Sequence, residues 1–441
     1  MATYHEPARD VPILDAVDVL VCGGGPAGCA AAVAAARHGA NTLLVEQDGA
    51  LGGAPVTQHV LAILSTNGAD FQGLWHEWAR ALRRLGGLSP LTWEPRFGTR
   101  WLSGSIDPVY VPYAWDELLT AAGARVLHLA RVASAIVEDG AVRGAFIETK
   151  AGRRAVLARR VVDATGDGDL CAAAGVPWEQ GTASSPCAMA AALVALYGGV
   201  RTAPDYLPGT INSVGGTGRS AGQGPLFMAG LNRVLNVDPV DPWALTRALR
   251  EGRAMVLARY RERTAQPDAD ALFLAALPHY PGVRSSRRVR GLATVTAEDA
   301  MTFTKYPDGI ARASWEVDIH PADSPTGKAV SFDDPAYQPR MRRAEAGDYY
   351  DIRYGALVAA GVDNLLVAGR CLSAEHMAQA SLRIQQTCLG TGQAAGAAAA
   401  LSLRANVPPR LLDTARLVAQ LAADRDVEPA DAVFANLPAV G

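Results

Sequence analysis

Three glycines and an acid offer the first chemistry in this sequence. Gly23, Gly25 and Gly28 fall at the spacing GxGxxG, and Glu46 lies roughly 20 residues on. Each type has a physical job: Gly23 permits a tight turn, Gly25 lets bare backbone approach a pyrophosphate, and Gly28 lets a helix pack closely on a strand. Pro26 and Ala27 open that helix, whose unpaired N–H groups and positive dipole end favour an anion. Glu46, with Gln47 beside it, is placed to accept hydrogen bonds from a ribose hydroxyl pair. Gly52 and Gly53 again put bare backbone where a bulky ring system or a second phosphate must come close. A second set is titratable or cationic. Five histidines, His59, His76, His279, His320 and His376, lie outside the nucleotide unit, the strand-rich section after it and the tail. His76 falls within an amphipathic helix, whereas His320 and His376 suit a general base near neutral pH, and His59 with Thr57 suits the reactive edge of a ring system. Arg284, Arg287 and Arg288 form a run able to grip a carboxylate with two parallel hydrogen bonds, Arg287 foremost; Tyr306 and Arg383 are further candidates. Each has a plain structural reading beside it, a hydrogen-bonded loop histidine or a solvated arginine. Lysine occurs only at Lys150, Lys305 and Lys328, so arginine carries nearly all the positive charge and an arginine run is weaker testimony than usual.

The elements that must position these groups follow from pattern. Val19 to Val21 reads as a short buried strand, an alanine-rich helix runs from the glycine turn to near Gly39, and Asn41 to Val45 makes a second strand before Glu46. The context of strand, helix and terminal acid makes this an ADP-binding unit. Phe71 to Leu85 is an amphipathic helix, Pro90 to Pro112 is rich in proline and aromatics, and Tyr113 to Ala122 is a further helix. From Ala124, apolar and polar residues alternate through three or four short strands, with turns at Asp139-Gly140 and Ala151-Gly152, a β-meander. It leads into Val161-Val162-Asp163-Ala164-Thr165-Gly166, an apolar strand ending in a small-residue turn suited to the bound nucleotide. Later, Asn364 to Ala368 is a buried strand, a small-residue helix runs through Ala400, and a last helix spans Pro409 to Ala423. Two further strings fit GxGxxA: Gly216, Gly218 and Ala221, and Gly390, Gly392 and Ala395. Neither has the strand that must precede a nucleotide turn.

At 441 residues, with 49% hydrophobic and 19% charged residues, the chain has material for two domains. A net charge of -3 gives no electrostatic capture of nucleic acid or an anionic membrane, so a small-molecule partner is expected, with a homo-oligomer left open. No secretory leader or apolar span is read, which points to the cytoplasm. The six cysteines are scattered without a CxxC pair, so neither a metal site nor a redox disulfide is expected.

The glycine unit with its acid, the meander and Ala164-Thr165-Gly166-Asp167-Gly168-Asp169 resemble the FAD-binding half of the glutathione-reductase-like flavoproteins, and above all the FAD-dependent oxidoreductases. Three later blocks are similar to the same family: Pro281 to Ala300, the segment ending at His320, and Asn364 to Ala400. The resemblance implies an α/β fold, a Rossmann-like FAD-binding domain with a β-meander, interrupted by an inserted α+β substrate domain. The expected division is 1–180, with 60–112 partly covering the active site, then 181–353 as substrate domain, and 354–441 returning to the FAD-binding domain. It implies FAD as cofactor and adds Val132, Ala164, Thr165, Gly166, Gly369, Arg370, Gln385 and Gln386 to the binding set. Arg370 stands where related flavoproteins more commonly carry an acid, and a guanidinium cannot accept a hydrogen bond, so a phosphate or protein contact is expected for it. The implied activity is a dehydrogenase or oxidase passing a hydride from a small organic molecule to flavin N5. The alternatives are a flavin monooxygenase or halogenase, for which no GDAAH-like block or WxWxIP string is present, and a redox-sensing flavoprotein without turnover.

Overall fold

The computed structural model describes residues 3–96, 99–182, 185–187, 189–199, 227–267, 269, 271–325 and 347–425. Its centre is a seven-stranded mixed sheet. Strand β1, Ile13–Cys22, lies in the middle, pairing in parallel with β2, Thr42–Val45, on one side and with Gly152–Asp163 on the other. The strand is longer than Val19 to Val21 because its first half pairs with Gly152–Asp163 and stays largely exposed, leaving Val19 to Cys22 as the fully buried run. The meander is three strands, Arg131–Glu138, Ala141–Thr149 and Gly152–Asp163, with turns at the two expected places. The candidate fourth strand, Arg125–Leu127, belongs elsewhere: it extends the parallel side beyond β2. On the edge away from β1, Gly152–Asp163 serves two neighbours at once. Its first part is paired with the meander, and its last three residues are paired with Leu365–Val367, which arrives from the far end of the chain.

Helix α1, Pro26–Arg37, lies on this sheet with Ala27 to Ala35 all buried, so it is covered on every side. Its second cover is the helix Gln385–Arg404, longer than the expected end at Ala400. A Cβ on Gly392 would overlap the carbonyl oxygen of Ala27, and one on Gly396 that of Ala31. The two helices therefore meet backbone to backbone, which accounts for the GxGxxA string at Gly390, Gly392 and Ala395 by packing alone. The string at Gly216, Gly218 and Ala221 lies outside the described residues. Helix Leu74–Leu85 starts three residues later than its apolar pattern, after Gly73, and Val111–Ala122 starts two earlier, with a proline at its second residue. The last helix is Thr414–Arg425, not Pro409 to Ala423. Pro409–Leu411 is a separate 3-10 turn, and Asp413 accepts from the Ala415 amide at the true start.

Between residues 60 and 112, strands Ala62–Ser65, Thr99–Ser105 and Thr92–Arg96 form an antiparallel sheet. The segment after Gly181 carries its own antiparallel sheet, Phe227–Val234, Ala191–Gly198 and Phe273–Ala276, crossed by the long helix Pro242–Thr264. Leu193, Ala195 and Tyr197 pack there with Val256, Ala269 and Leu272, apart from the main core. Proline, loops and helices are the sequence signature of this region, and the strands are an addition to it. Ala191–Gly198 is buried along its whole length and shows no alternation to mark it as a strand. No helix among the described residues is long and apolar enough to cross a membrane.

Candidate functional site

The register of the parallel strands creates the site. Cys22 is level with Val45 and Asp163, and Asp163 is level with Val367. The residues that follow, Gly23, Glu46, Ala164 and Ala368, therefore share the carboxyl edge of the sheet, where open α/β sheets bind ligands. Gly23 turns at φ +99°, and a Cβ on it would lie 2.6 Å from the Ala164 carbonyl oxygen, so the Ala164-Thr165-Gly166 turn presses directly on the glycine turn. Asp163, fully buried, holds that turn by accepting from the Thr165 amide at 3.0 Å, the Thr165 hydroxyl at 2.7 Å and the Cys171 amide at 2.8 Å. A Cβ on Gly28 would overlap the Gly23 carbonyl oxygen. Gly52, at φ +118°, donates its amide to the Gly24 carbonyl at 2.8 Å, and a Cβ on Gly53 would lie 2.9 Å from Gly25 Cα.

Gly25 is different from its neighbours. Its φ of -73° suits any residue, it caps α1 without a side-chain hydrogen bond, and no described atom lies within 4 Å of where its Cβ would stand. Neither backbone conformation nor protein packing requires glycine there. Open space above an uncapped helix start is what a phosphate pair would fill. Glu46, 8% exposed, accepts from the Gly24 amide at 2.5 Å and the Asp48 amide at 2.8 Å, and its own carbonyl receives the Ala130 amide. Burial raises its carboxyl, opposed by those amides. Val132 lies two residues beyond Ala130 on the meander's outer strand, and Gln47 is the exposed neighbour of Glu46.

The helix Gln385–Arg404 begins without a side-chain cap. Gln385 donates to the Val60 carbonyl at 2.9 Å, so this helix end lies beside the His59–Val60 loop, and its buried Oε1 has no partner among the described residues. Gln386 turns instead into the core, donating to the Leu64 carbonyl and to Asp70 at 3.2 Å. Gly369, at φ +81°, donates its amide to Thr391 at 3.1 Å. Arg370 is held by protein: its guanidinium pairs with Asp167 at 2.7 Å, donates to Ser286 at 2.8 Å and lies against Gly166.

A model of the FAD dependent oxidoreductase family matches residues 18–421. The chain belongs to that family. No curated protein matches it. Among solved structures, the chain is similar to a geranylgeranyl bacteriochlorophyll reductase-like protein from Thermoplasma acidophilum, at 14% identity over 96% of this chain and 95% of that one, TM-score 0.46. It is also similar to the anhydrotetracycline hydroxylase of Streptomyces rimosus, at 13% identity over 93% of this chain and 66% of that one, TM-score 0.46. A third is a myxobacterial chondrochloren halogenase, at 15% identity over 92% and 78%, TM-score 0.46. As a member of the FAD dependent oxidoreductases this chain is an enzyme, and FAD is its cofactor. The residues fit that group. The space over Gly25 and the uncapped start of α1 would hold the pyrophosphate, Glu46 the ribose, and the open start of Gln385–Arg404 the electron-rich end of the flavin.

The remaining candidates divide into those gathered near the Gln385 helix start and those engaged elsewhere. Arg383, two residues before that helix, donates to Asp318 at 2.9 Å and to the Asp318 carbonyl at 3.0 Å. Asp318 Oδ2 also meets His320 Nε2 at 3.1 Å, and His320 Nδ1 receives Arg233 at 2.9 Å. With Nδ1 accepting, the His320 proton sits on Nε2 and no lone pair is left for a substrate proton. Burial, then the charge of Arg284, lowers His320 to about 4, so the ring is neutral near pH 7. Burial alone would raise the Asp318 carboxyl, but the hydrogen bond from His320 and the charges of Arg383 and Arg284 hold it well below the usual range. His376 is lowered to about 4 by burial, Arg288 and Arg383, and its buried Nδ1 has no partner among the described residues. His59, at φ 55° and buried, lies 3.3 Å through Nδ1 from the Val194 carbonyl.

Arg287, the foremost clamp candidate from sequence, is occupied away from this cluster. It pairs with Asp169 at 2.8 Å, donates to the Asp167 carbonyl and lies over the Trp178 ring. Arg288 reaches Glu179 at 3.6 Å, and Tyr306 gives its hydroxyl to Asp299 at 2.7 Å. Glu316 is the group sequence reasoning passed over. Trp315, Val317 and Ile319 are buried while Glu316 and Asp318 are partly exposed, so both carboxyls stand on one side of an extended segment. Burial, then the charge of Asp318, raises Glu316 to about 7. The period-two spacing Glu-x-Asp before His320 is the signal that marks it.

Proposed function

We propose that this chain is an FAD-dependent dehydrogenase or oxidase that removes a hydride from a small organic substrate. What supports the reading is a run of charged groups, Glu316 beside Asp318 and Asp318 beside Arg383, with Arg383 two residues before the open start of the Gln385 helix and His376 within reach of its charge. Such a run orients one face of a polar substrate and supplies a proton acceptor, which is what the protein must add to a flavin. Bound FAD supplies the two-electron acceptor. Glu316 takes the substrate proton, being a carboxyl poised near neutrality. His320 orients Asp318, and Asp318 orients Arg383. The segment 181–353 forms the substrate domain and 60–112 part of the cover. The unpaired buried thiols suit the cytoplasm.

The test is anaerobic mixing of the FAD-loaded protein with amines, hydroxy acids, sugars and aromatic acids. One class should bleach the flavin absorbance. Oxygen-coupled consumption of a nicotinamide cofactor, with no bleaching by any organic substrate, would overturn the reading in favour of a monooxygenase. Glu316→Gln should keep the flavin spectrum and slow reduction by about 100- to 1,000-fold. In the parent protein the reduction rate should rise with pH through about 7, because a base acts only when deprotonated.

A further inference from the structure

Two guanidiniums beside the Gln385 helix start face one carboxylate. Arg284, partly buried, donates one hydrogen bond to the Ala190 carbonyl at 2.9 Å and makes no ion pair among the described residues. Arg383 reaches Asp318 through Nη2, and its buried Nε has no partner among the described residues. Asp318 is shared between Arg383 and His320, and both His320 and His376 are neutral near pH 7. Glu316 makes no ion pair among the described residues. Burial, and next the like charge of Arg383, push Arg284 down to about 9, the mark of a cation short of a counterion. A protein that buries an excess cation loses stability unless a ligand neutralises it.

We propose that Arg284 and Arg383 together receive a carboxylate of the substrate, so that the enzyme acts on an organic acid. The proposal rests on the flavin reading above and names the substrate class of that site. Arg284 and Arg383, with Arg233 donating to His320 beside them, carry more positive charge than Asp318 cancels, and an anionic ligand group offsets the excess. Planar forks also match a planar carboxylate. Arg284 remains partly accessible, so a ligand can reach it.

The experiment titrates FAD-loaded protein with benzoate, succinate, benzamide and inorganic phosphate, following flavin difference spectra and calorimetric heat. Benzoate or succinate should bind and perturb the flavin while benzamide does not. Arg284→Met and Arg383→Met should each weaken carboxylate binding by about 10- to 100-fold. Arg284→Lys should restore part of it, and Arg410→Met, at an exposed pair with Asp363, should change nothing. Free Arg284→Met protein should melt at a higher temperature than the parent, since it loses an uncompensated charge, whereas an arginine with only a structural role would lower the melting temperature on removal. Carboxylates binding no better than benzamide, phosphate binding more tightly than either acid, or a lowered melting temperature in Arg284→Met would each overturn the proposal. The two readings fail separately. Protein whose flavin is bleached by an organic substrate but that ignores carboxylates loses the clamp alone, and protein that binds benzoate through these arginines yet holds flavin that no organic substrate bleaches loses the dehydrogenase reading alone.

Discussion

At the scale of single residues, the glycines of the nucleotide turn have distinct reasons to be glycine. Gly28 is required by the protein itself, because any Cβ strikes the Gly23 carbonyl, whereas no described protein atom requires glycine at Gly25. Gly25→Val should therefore leave the melting temperature of the free protein nearly unchanged and lower FAD affinity by about 10- to 100-fold, from about 1–3 kcal/mol of steric conflict. Gly28→Val should fail at folding. A buried acid offers a second residue-level test. Asp70 is fully enclosed, accepting from Ser65 at 2.5 Å and from Gln386 at 3.2 Å, and burial pushes it up to about 6. A carboxyl whose folded pKa is raised holds its proton longer in the native state. Its contribution is greatest at low pH and is lost as pH climbs from about 4 to about 6, a decline of about 3 kcal/mol. Asp70→Asn should remove that slope from urea midpoints measured across this window, and an unchanged slope would place the titration elsewhere.

At the scale of elements, the site depends on how closely α1 and the Gln385 helix approach. Gly392→Val would drive a side chain into the Ala27 carbonyl, in the first turn of the helix that carries the phosphate end. The variant should lose about 1–3 kcal/mol in chemical denaturation and lose FAD content with it, coupling two properties that Gly25→Val separates. The β1–α1–β2 unit could be read from sequence because its code is local: strand, glycine spacing, helix and acid follow one another without interruption. The Ala191–Gly198 sheet could not, because that strand is buried along its length and its partners begin at Phe227 and Phe273. The arginine run from Arg284 shows the same limit at the site. Arg284, Arg287 and Arg288 are nearly adjacent, yet the backbone sends them toward Ala190, Asp169 and Glu179 respectively. Composition counts such side chains; only the path of the chain aims them.

At the scale of the whole molecule, the inserted sheet can be detached on paper with little disturbance to the sheet edge. Ala192 and Gly282 exchange a pair of backbone hydrogen bonds, at 3.2 and 2.6 Å, so the chain leaves and returns at one place. Replacing 193–281 with a short glycine turn should leave a protein that still binds FAD, scored by its absorbance, and that no longer reduces it with substrate. Loss of FAD binding would show that the insertion helps to hold the cofactor. The shared strand Gly152–Asp163 carries a further consequence for biosynthesis. Its last rung, Leu365–Val367, and the helix behind it leave the ribosome more than 200 residues later, so the emerging polypeptide presents a glycine turn long before the far side of the crevice exists. Pairing so distant in sequence is slow to form. A translation product truncated before Leu365 should therefore emerge colourless, and one that carries flavin would show that the first half of the crevice suffices.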